Sequence, residues 1–295
     1  MTYPIGHFTL IIGAMKCGTT SLFNYLAEHP QVAPSKAKEP NFFTHDKSWK
    51  KGISHYRTLW DFDPAIHQTA LEASINYSKV PRLPNAAKRI YQMAQQESVN
   101  FKFIYIIRDP IERIISHCTH DLEEQWSVRY NHPIVCGIPY PAIEISKYAM
   151  QLSEYSQRFP AENILLLQAD ELRLNPQRVL NTVCAFLDID TAFKFHNIKK
   201  QHNPSKGKPV TNRFWPKMDK YVASPMIRYL PRHLRSPAMS MLRGWFSTGQ
   251  IQQKFQISEQ QRKFILEELH SDIQELHSQY EINVSQWGCH GLEFK

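Results

Sequence analysis

The sequence lacks a hydrophobic run of membrane-spanning length. Its most apolar runs, residues 8–15 and 101–107, have the length of single strands, whereas a helix that spans a bilayer needs about 18 apolar residues or more. The N-terminus has no charged region followed by an apolar one, so we expect no signal peptide. The pattern predicts a soluble globular protein, long enough at 295 residues to bury a sizeable core.

Cysteine is scarce and scattered. The chain has five cysteines, an odd number, and none forms a Cys-x-x-Cys pair. Both observations argue against a disulfide framework and against a zinc site. We therefore expect a reducing, cytoplasmic location and no bound metal.

Acidic residues are almost missing from one stretch of the chain. Residues 194–243 contain twelve of the 35 Lys and Arg residues but one of the 27 acidic residues, Asp219. Such a stretch is typical of a surface that binds an anionic partner. The candidate partners are a nucleotide, a phosphorylated or sulfated acceptor, a membrane surface and a nucleic acid. The alternative is a solvated face without a ligand.

Three continuous apolar runs predict buried strands at 8–13, 101–107 and 163–168. Helical periodicity follows each of them, and a shorter strand is expected at 69–73. Strands that alternate with helices imply a parallel sheet covered on both faces. We predict an α/β fold with a P-loop-like central parallel sheet flanked by helices and a C-terminal helical wrap.

The last third of the chain differs in composition. Six prolines between residues 203 and 249 are expected to break any long element there. A strong helix follows at 258–281, because Ser258 and Gln261 form a capping-box pattern and apolar residues recur at helical spacing. We predict a single domain, 1–295, in which 203–249 is a basic, proline-rich lid or wrap.

Residues 13–22, GAMKCGTTSL, lie between the first predicted strand and a helix. Such a loop presents backbone N–H groups and the positive end of the helix dipole to an anion, and Lys16 adds a charge. The motif differs from GxxxxGK[ST], in which Lys directly precedes the hydroxyl residue that holds Mg²⁺. The segment favours a metal-free phosphate or phosphosulfate ligand over a glycine turn without a ligand.

The second predicted strand ends in Arg108, within IYIIRDPIERIISH. A nucleoside triphosphatase has an acidic residue for magnesium at this point, whereas Arg offers a fixed fork of donors that matches a phosphate dianion. Ser116, on the following predicted helix, offers a hydroxyl to the same group. Arg108 could equally pair with Asp109 or Glu112.

The segment KEPNFF (38–43) places Glu39 beside aromatic residues. Apolar surroundings favour the protonated form of a carboxyl group and suit it to accept a proton from an attacking hydroxyl or amine. The alternative is a surface or capping carboxylate.

The segment NPSKGKP (203–209) is a basic loop that contains glycine. Its backbone amides, with Lys206 and Lys208, could close over a nucleotide phosphate. The alternative is an ordinary polar linker.

These four motifs, in this order, resemble the family of sulfotransferases that depend on 3′-phosphoadenosine 5′-phosphosulfate (PAPS). The branch in question is that of the heparan sulfate N- and 3-O-sulfotransferases and their bacterial relatives. The resemblance runs from about residue 8 to residue 116 and resumes at Ser205 and at SQWG (285–288).

The resemblance implies an enzyme that moves a sulfuryl group from PAPS to a hydroxyl or amine and releases adenosine 3′,5′-bisphosphate (PAP) without a metal. KCGTTSL looks like the family's 5′-phosphosulfate loop, Arg108 and Ser116 look like its 3′-phosphate ligands, and SKGK is similar to the loop that covers the nucleotide. Glu39 falls where the branch has its catalytic glutamate. The implied catalytic residues are Lys16 and Glu39, and the implied donor ligands are Lys16, Cys17, Gly18, Thr19, Thr20, Ser21, Leu22, Arg108, Ser116, Ser205, Lys206, Gly207 and Lys208.

The chain departs from the branch in two respects. Glycan O-sulfotransferases of the branch have Lys after the Glu of a Glu-Lys-Thr/Ser-Pro stretch, whereas this chain has Ala73 after Glu72, which removes one cation from the site. Luminal members also have a disulfide shortly before the late basic loop, whereas no Cys lies between Cys184 and Cys289. The second departure agrees with the cytoplasmic location expected above.

Two other classes compete with a sulfotransferase. A nucleotide kinase or NTPase is disfavoured by the position of Lys16 and by Arg108 at the strand end. A basic nucleic-acid-binding protein would not require a phosphate loop between a strand and a helix, so we expect no nucleic-acid partner. The sequence leaves open whether the acceptor is a glycan, a lipid-like molecule or a small hydroxylated molecule, and it leaves the oligomeric state open.

Residues 221–246 interleave aromatic and methionine side chains with four arginines. Apolar side chains can cover a hydrophobic body while guanidinium groups hold anionic heads. The pattern predicts a mobile, partly apolar lid over the acceptor site that also contacts a membrane surface. The alternative is that these side chains pack onto the core.

Overall fold

The structure is a computed structural model that describes residues 5–124, 131–198, 209–211, 215–227, 232–250, 254–285 and 287. The strands are β1 (His7–Gly13), β2 (Val32–Pro34), β3 (Thr69–Glu72), β4 (Asn100–Ile107), β5 (Ile134–Val135), β6 (Ile138–Pro139), β7 (Ile164–Gln168), β8 (Pro209–Thr211) and β9 (Ser247–Gln250). The helices are α1 (Thr19–Leu26), α2 (Asp46–Trp49), α3 (Gly52–Arg57), α4 (Ala86–Glu97), α5 (Pro110–Glu124), α6 (Tyr140–Glu144), α7 (Tyr148–Ser156), α8 (Ala169–Leu174), α9 (Pro176–Leu187), α10 (Trp215–Met218), α11 (Ser224–Ile227), α12 (Arg232–Trp245) and α13 (Glu259–Tyr280). Short 3-10 helices lie at Ile75–Ser78 and Ala161–Asn163, and a π-helical turn lies at Asp219–Ala223.

Five parallel strands form the central sheet in the order β2, β3, β1, β4, β7. Two of the three inner strands, β1 and β4, are buried except at their first residues and at Lys102. Strands that are covered on both faces have continuous rather than alternating apolar sequences, which is the pattern of these two segments. The predicted α/β fold with a central parallel sheet and a C-terminal helix is confirmed.

The four predicted strands have ends that differ from the observed ones by one residue. β1 and β4 begin one residue earlier than expected, β7 begins one residue later, and β3 ends one residue earlier. The expected helix after β4 is α5, which begins at Pro110, a position that does not need a backbone N–H donor.

The prediction that prolines break every long element between residues 203 and 249 is wrong for α12. This 14-residue helix continues through Pro237, although proline cannot donate to the carbonyl one turn earlier. Two other prolines, Pro216 and Pro225, lie at the second positions of α10 and α11. Proline is tolerated there because the N–H groups of the first helical turn have no partner within the helix.

The predicted C-terminal helix is α13, and its capping box is formed. The backbone N–H of Gln261 donates to Ser258 Oγ at 3.3 Å, and the backbone N–H of Ser258 donates to Gln261 Oε1 at 2.9 Å. Each bond satisfies an N–H group near the helix start. The apolar stripe is buried at Ile265, Leu269, Ile273 and Leu276.

The chain divides into two compact units. The first comprises Met1–Pro110, Glu144–Asn203 and Leu269–Lys295 and contains the five-stranded sheet. The second comprises Ile111–Ile143 and Pro204–Glu268 and contains two small antiparallel sheets, β5 with β6 and β8 with β9. The single domain over 1–295 stays a prediction.

Candidate functional site

The loop between β1 and α1 is compact and begins α1 in an unusual conformation. Gly18, the residue before α1, has φ 94°, and Lys16 has φ 72°. Such positive φ values favour glycine, so Gly18 suits the turn into the helix. The backbone N–H of Ala14 donates to Ile106 O of β4 at 2.7 Å and fastens the loop to the sheet.

Gly13, the last residue of β1, meets its neighbours without room for a side chain. A Cβ atom at this position would lie 2.1 Å from Ser78 Oγ and 2.7 Å from a ring carbon of Tyr105. The Ser78 hydroxyl donates to Ile12 O at 2.7 Å, which keeps it against the strand. The glycine therefore has a packing role beneath the loop, in addition to the tight path predicted for it.

The predicted loop residues differ in what they can offer to a ligand. The side chains of Cys17, Thr19 and Leu22 are buried, whereas those of Thr20 and Ser21 are half-buried. The backbone N–H groups of Cys17 and Leu22 already donate within the chain, to Ala14 O at 3.2 Å and to Gly18 O at 3.1 Å. The predicted donor contacts of residues 16–22 stay predictions.

Arg108 lies next to this loop. Its Nη1 donates to Lys16 O at 3.4 Å, and the hydroxyl of Tyr148 donates to Arg108 O at 3.0 Å. The same hydroxyl lies 3.8 Å from Cys17 Sγ. Two of the motifs found in the sequence thus meet, and Tyr148 of α7, which the sequence analysis did not assign to the site, contacts both.

The other two candidate groups of the donor site are less defined. Ser116 is half-buried on α5, in the second unit, and its role stays a prediction. Ser205, Lys206, Gly207 and Lys208 lie outside the described residues, so their role also stays a prediction.

Glu39 does not have the apolar surroundings that its aromatic neighbours suggested. Its side chain is 35% exposed, and Oε1 lies 2.6 Å from Lys38 Nζ. The neighbouring Phe42 and Phe43 instead turn inward, where both are buried and pack against Tyr56 with ring centroids 4.6 and 5.0 Å apart. The environment expected for Glu39 is thus wrong, and its assignment as the base stays a prediction.

Sheet order brings the three candidate segments to one edge. β1 lies between β3 and β4, and all three strands are parallel. The loop with Lys16 follows β1, Arg108 follows β4, and the Glu39 segment is tied to the residue after β3 by a bond from Ala73 N to Lys38 O at 3.0 Å. Ligands of open parallel sheets bind at the carboxyl ends of the strands, which is the edge described here.

A buried carboxyl group lies at the end of β3. Glu72 is fully buried, and its oxygens accept bonds from the hydroxyls of Tyr56 at 2.5 Å, Ser74 at 2.6 Å and Tyr77 at 3.1 and 3.2 Å. Burial raises the pKa of Glu72 from 4.5 to about 7, while the three hydrogen bonds act in the opposite direction. No local sequence pattern marks Glu72 as a buried carboxyl group.

The raised pKa of Glu72 predicts how stability depends on pH. The folded protein binds the Glu72 proton more tightly than the unfolded chain, so the free energy of unfolding falls as pH rises from about 4.5 through about 7. The expected loss is about 3 kcal/mol. Glu72→Gln should remove this part of the slope, as measured by chemical denaturation at pH 5 and pH 8.

Asp272 is the control for that measurement. Burial also raises its pKa, to about 6, so it contributes a slope of the same sign that both proteins share. An identical pH dependence in the wild type and in Glu72→Gln would mean that the Glu72 carboxyl titrates normally in the fold.

Several apolar side chains of the second unit face solvent. Met226, Met241 and Trp245 are 64%, 63% and 70% exposed, and Leu234 is also exposed. Leu234, Met241 and Trp245 follow at intervals of seven and four along α12 and therefore share one face of the helix. The alternative for residues 221–246 was that the apolar side chains pack onto the core. These four side chains do not, because they are exposed. Tyr229 and Leu230 lie outside the described residues.

Neither a metal cluster nor a membrane-spanning helix is found in the part of the chain that the structure describes. No group of three or more His, Cys, Asp or Glu side chains is placed there to hold a metal ion. No helix there combines the length and apolar character needed to cross a bilayer.

Known proteins resemble the chain in sequence and in fold. Heparan sulfate glucosamine 3-O-sulfotransferase 3A1 of Mus musculus is 31% identical over 206 residues, which cover 64% of this chain and 49% of the relative. Heparan sulfate glucosamine 3-O-sulfotransferase 5 of Mus musculus is 30% identical over 200 residues, which cover 64% of this chain and 55% of the relative. The chain thus spans about half the length of the curated relatives it matches.

The fold is similar to that of a solved bacterial protein. The crystal structure of a sulfotransferase from Alicyclobacillus acidocaldarius superposes with a TM-score of 0.62 and 19% identity, covering 97% of this chain and 99% of that one. Residues 8–220, which are most of the chain, match the family model described as the sulfotransferase domain. The chain therefore belongs to the sulfotransferase domain family of enzymes.

Proposed function

We propose that this chain transfers a sulfuryl group from PAPS to a hydroxyl or amine of an acceptor. The observation that carries the proposal is the meeting of Arg108 with the loop of Lys16 and Gly18 at the carboxyl edge of the sheet. A guanidinium beside a loop that starts a helix suits a ligand with two separate anionic groups, as PAPS has. Membership of the sulfotransferase family supports the same reaction.

The residues of the chain have distinct tasks in this proposal. Lys16 and the hydroxyl and backbone N–H groups of residues 19–21 hold the phosphosulfate and stabilise the charge that develops there, and Arg108 binds the 3′-phosphate. Bound PAPS supplies the sulfuryl group, and PAP leaves. Glu39, exposed at the surface, accepts the proton of the acceptor hydroxyl or amine.

The class of acceptor is a separate part of the proposal. The two mouse relatives have heparan sulfate in their names, which supports a glycan as one acceptor class. Ala73, where the resembled branch has Lys, removes one cation that would attract a sulfated chain, so a lipid-like or small hydroxylated acceptor also fits. A cytoplasmic location stays a prediction.

A thermal-shift comparison separates the proposal from its rivals. PAP, ATP with magnesium, and an oligonucleotide are added in parallel to the full chain. A rise in melting temperature with PAP that exceeds the rise with the other two is expected, because only binding to the folded state stabilises it. A larger rise with ATP and magnesium would favour a kinase or NTPase, and a larger rise with the oligonucleotide a nucleic-acid-binding protein.

Transfer itself is tested with radiolabelled PAPS and an extract of the source organism as a mixed pool of acceptors. Label that moves into glycan, lipid or small-molecule fractions identifies the acceptor class. Glu39→Gln enzyme is the control for label that transfers without this site. No transfer by the wild type, together with no binding of PAP, contradicts the proposed function.

Membrane contact through residues 221–246 is a further part of the proposal. The exposed face of Leu234, Met241 and Trp245 lies within a stretch rich in Lys and Arg, and such segments bind to anionic bilayer surfaces. The double variant Met241→Ser/Trp245→Ser should bind vesicles that contain anionic lipid several-fold more weakly in a flotation assay, with unchanged affinity for PAP. Equal binding of variant and wild type, or binding that does not depend on anionic lipid, would contradict this contact.

A further inference from the structure

Glu72 joins two segments that are distant in the sequence. Its carboxylate accepts bonds from Ser74 and Tyr77, and each of these hydroxyls also accepts a backbone N–H from the segment 38–43. The N–H of Asn41 donates to Ser74 Oγ at 3.1 Å, and the N–H of Phe43 donates to Tyr77 OH at 3.4 Å. The hydroxyls of Ser74 and Tyr77 thus link the buried Glu72 carboxyl to the backbone that follows Glu39.

The direction of these bonds depends on the carboxylate. Above about pH 7 the Glu72 carboxyl is ionised, because its pKa is about 7. An ionised carboxylate only accepts hydrogen bonds, so both hydroxyls then point their protons at Glu72. Their oxygen lone pairs are then left for the N–H groups of Asn41 and Phe43. A group at position 72 that donates a proton would compete with this arrangement.

The segment 38–43 is anchored on both sides of Glu39, and one anchor after Glu39, the bond that Arg89 Nη1 donates to Phe43 O at 3.0 Å, lies outside the Glu72 network. Before Glu39, the bond from Ala73 N to Lys38 O fixes the backbone. After Glu39, the described bonds from the backbone to the segment 72–78 are those of Asn41 and Phe43. The bond from Asn41 N to Ser74 Oγ is the backbone anchor that follows Glu39 most closely, so the Glu72 network holds the backbone next to the exposed Glu39 side chain.

We propose that Glu72 is a positioning residue, which holds the backbone of residues 38–43, and with it Glu39, through the hydroxyls of Ser74 and Tyr77. The inference rests on the proposed function in so far as Glu39 accepts the proton of the acceptor. A small displacement of a reacting group has a large effect on rate, because a shift of about 1 Å can cost about 100-fold. Loss of the network should therefore reduce turnover without loss of donor binding.

Tyr56 provides a matched control within the same network. Its hydroxyl also donates to Glu72 and is also buried, but the backbone N–H groups of Asn41 and Phe43 donate to other hydroxyls. Tyr56→Phe keeps the ring against Phe42 and Phe43 and removes one hydrogen bond to the carboxylate. Tyr77→Phe makes the same chemical change and also leaves the N–H of Phe43 without its acceptor.

The experiment compares Glu72→Gln, Ser74→Ala, Tyr77→Phe and Tyr56→Phe in the full chain at pH 8, where the Glu72 carboxyl is ionised. Two quantities are measured: kcat and donor KM for sulfuryl transfer, and the amide hydrogen exchange of residues 38–43 without substrate. We expect the first three variants to lose about tenfold in kcat with donor KM unchanged, and to exchange these amides about tenfold faster. Tyr56→Phe should change neither quantity by more than about twofold.

Four results would overturn the inference. Unchanged exchange in Ser74→Ala and Tyr77→Phe would show that the hydroxyls do not hold the segment. Faster exchange with unchanged kcat would show that its position does not matter for transfer. An equal loss of kcat in Tyr56→Phe would show that the network contributes only to general stability. An unchanged kcat in Glu72→Gln would show that the carboxylate is not needed to position Glu39.

Failure of the proposed function is recognised separately. A wild type that binds no PAP and transfers no label contradicts sulfuryl transfer whatever the variants do. The exchange measurement needs no substrate and then still decides whether Glu72 holds residues 38–43.

Discussion

Glu39→Gln is expected to abolish most sulfuryl transfer while PAP binds as tightly as before. The amide fills the space of the carboxylate but cannot accept the acceptor's proton, and loss of a general base lowers rates by about 10²- to 10⁴-fold. The 35% exposure of the Glu39 side chain means that the change leaves the core undisturbed. Single-turnover rates with radiolabelled PAPS and calorimetry with PAP measure the two quantities.

His45 is the control, because it is the next titratable group along the chain that could act as a base. It is exposed at the start of α2, and His45→Gln replaces one exposed polar side chain by another. The proposal expects wild-type turnover from His45→Gln. If Glu39→Gln turns over like the wild type and His45→Gln does not, the base is His45.

The central sheet is predictable from sequence because its inner strands are buried on both faces. Residues 101–107 form an almost unbroken apolar run, and β4 occupies residues 100–107. α4 was missed although Ala86, Ala87, Ile90 and Met93 are buried at helical spacing, because polar and charged residues separate them. β2 was missed because three residues at a sheet edge leave no periodic signal.

The site is predictable only where one local segment carries its signal. The loop with Lys16 and the strand end with Arg108 each form a continuous motif, and the structure brings the two together. Tyr148 contacts both motifs from α7, about 40 residues further along the chain, so no local pattern indicates its role. Tertiary contacts of this kind are decided by packing rather than by spacing in the sequence.

Glu39 and Glu72 show that the surroundings of a carboxyl group are also decided by tertiary packing. The aromatic residues beside Glu39 suggested an apolar environment, yet those rings turn inward and the carboxylate turns outward. Glu72 is the buried carboxyl, and its partners Tyr56 and Tyr77 come from α3 and from the 3-10 helix after β3. Sequence neighbours of a carboxylate therefore do not reveal which groups surround it.

Arg108→Ala and Lys16→Ala are expected to impair different steps. Arg108→Ala should weaken PAP binding by about 1.5–3 kcal/mol, because a charge-assisted contact to phosphate is lost. Lys16→Ala should instead lower kcat at saturating PAPS by about 10²- to 10³-fold, because it removes a positive charge from the place where negative charge develops. Calorimetry with PAP and turnover at saturating donor distinguish the two effects.

Two further variants test whether the effect of Arg108 is specific. Arg108→Lys retains the charge but loses the planar fork of donors, so it should recover part of the affinity and not all of it. Arg158→Ala removes a half-buried arginine of the same unit that lies just beyond the end of α7 and bonds Glu154 of that helix, and it should leave PAP affinity unchanged. Wild-type affinity in Arg108→Ala would contradict the assignment to the 3′-phosphate. Equal losses of affinity in Arg108→Ala and Arg158→Ala would mean that general positive charge, rather than the position of Arg108 beside the Lys16 carbonyl, attracts the nucleotide.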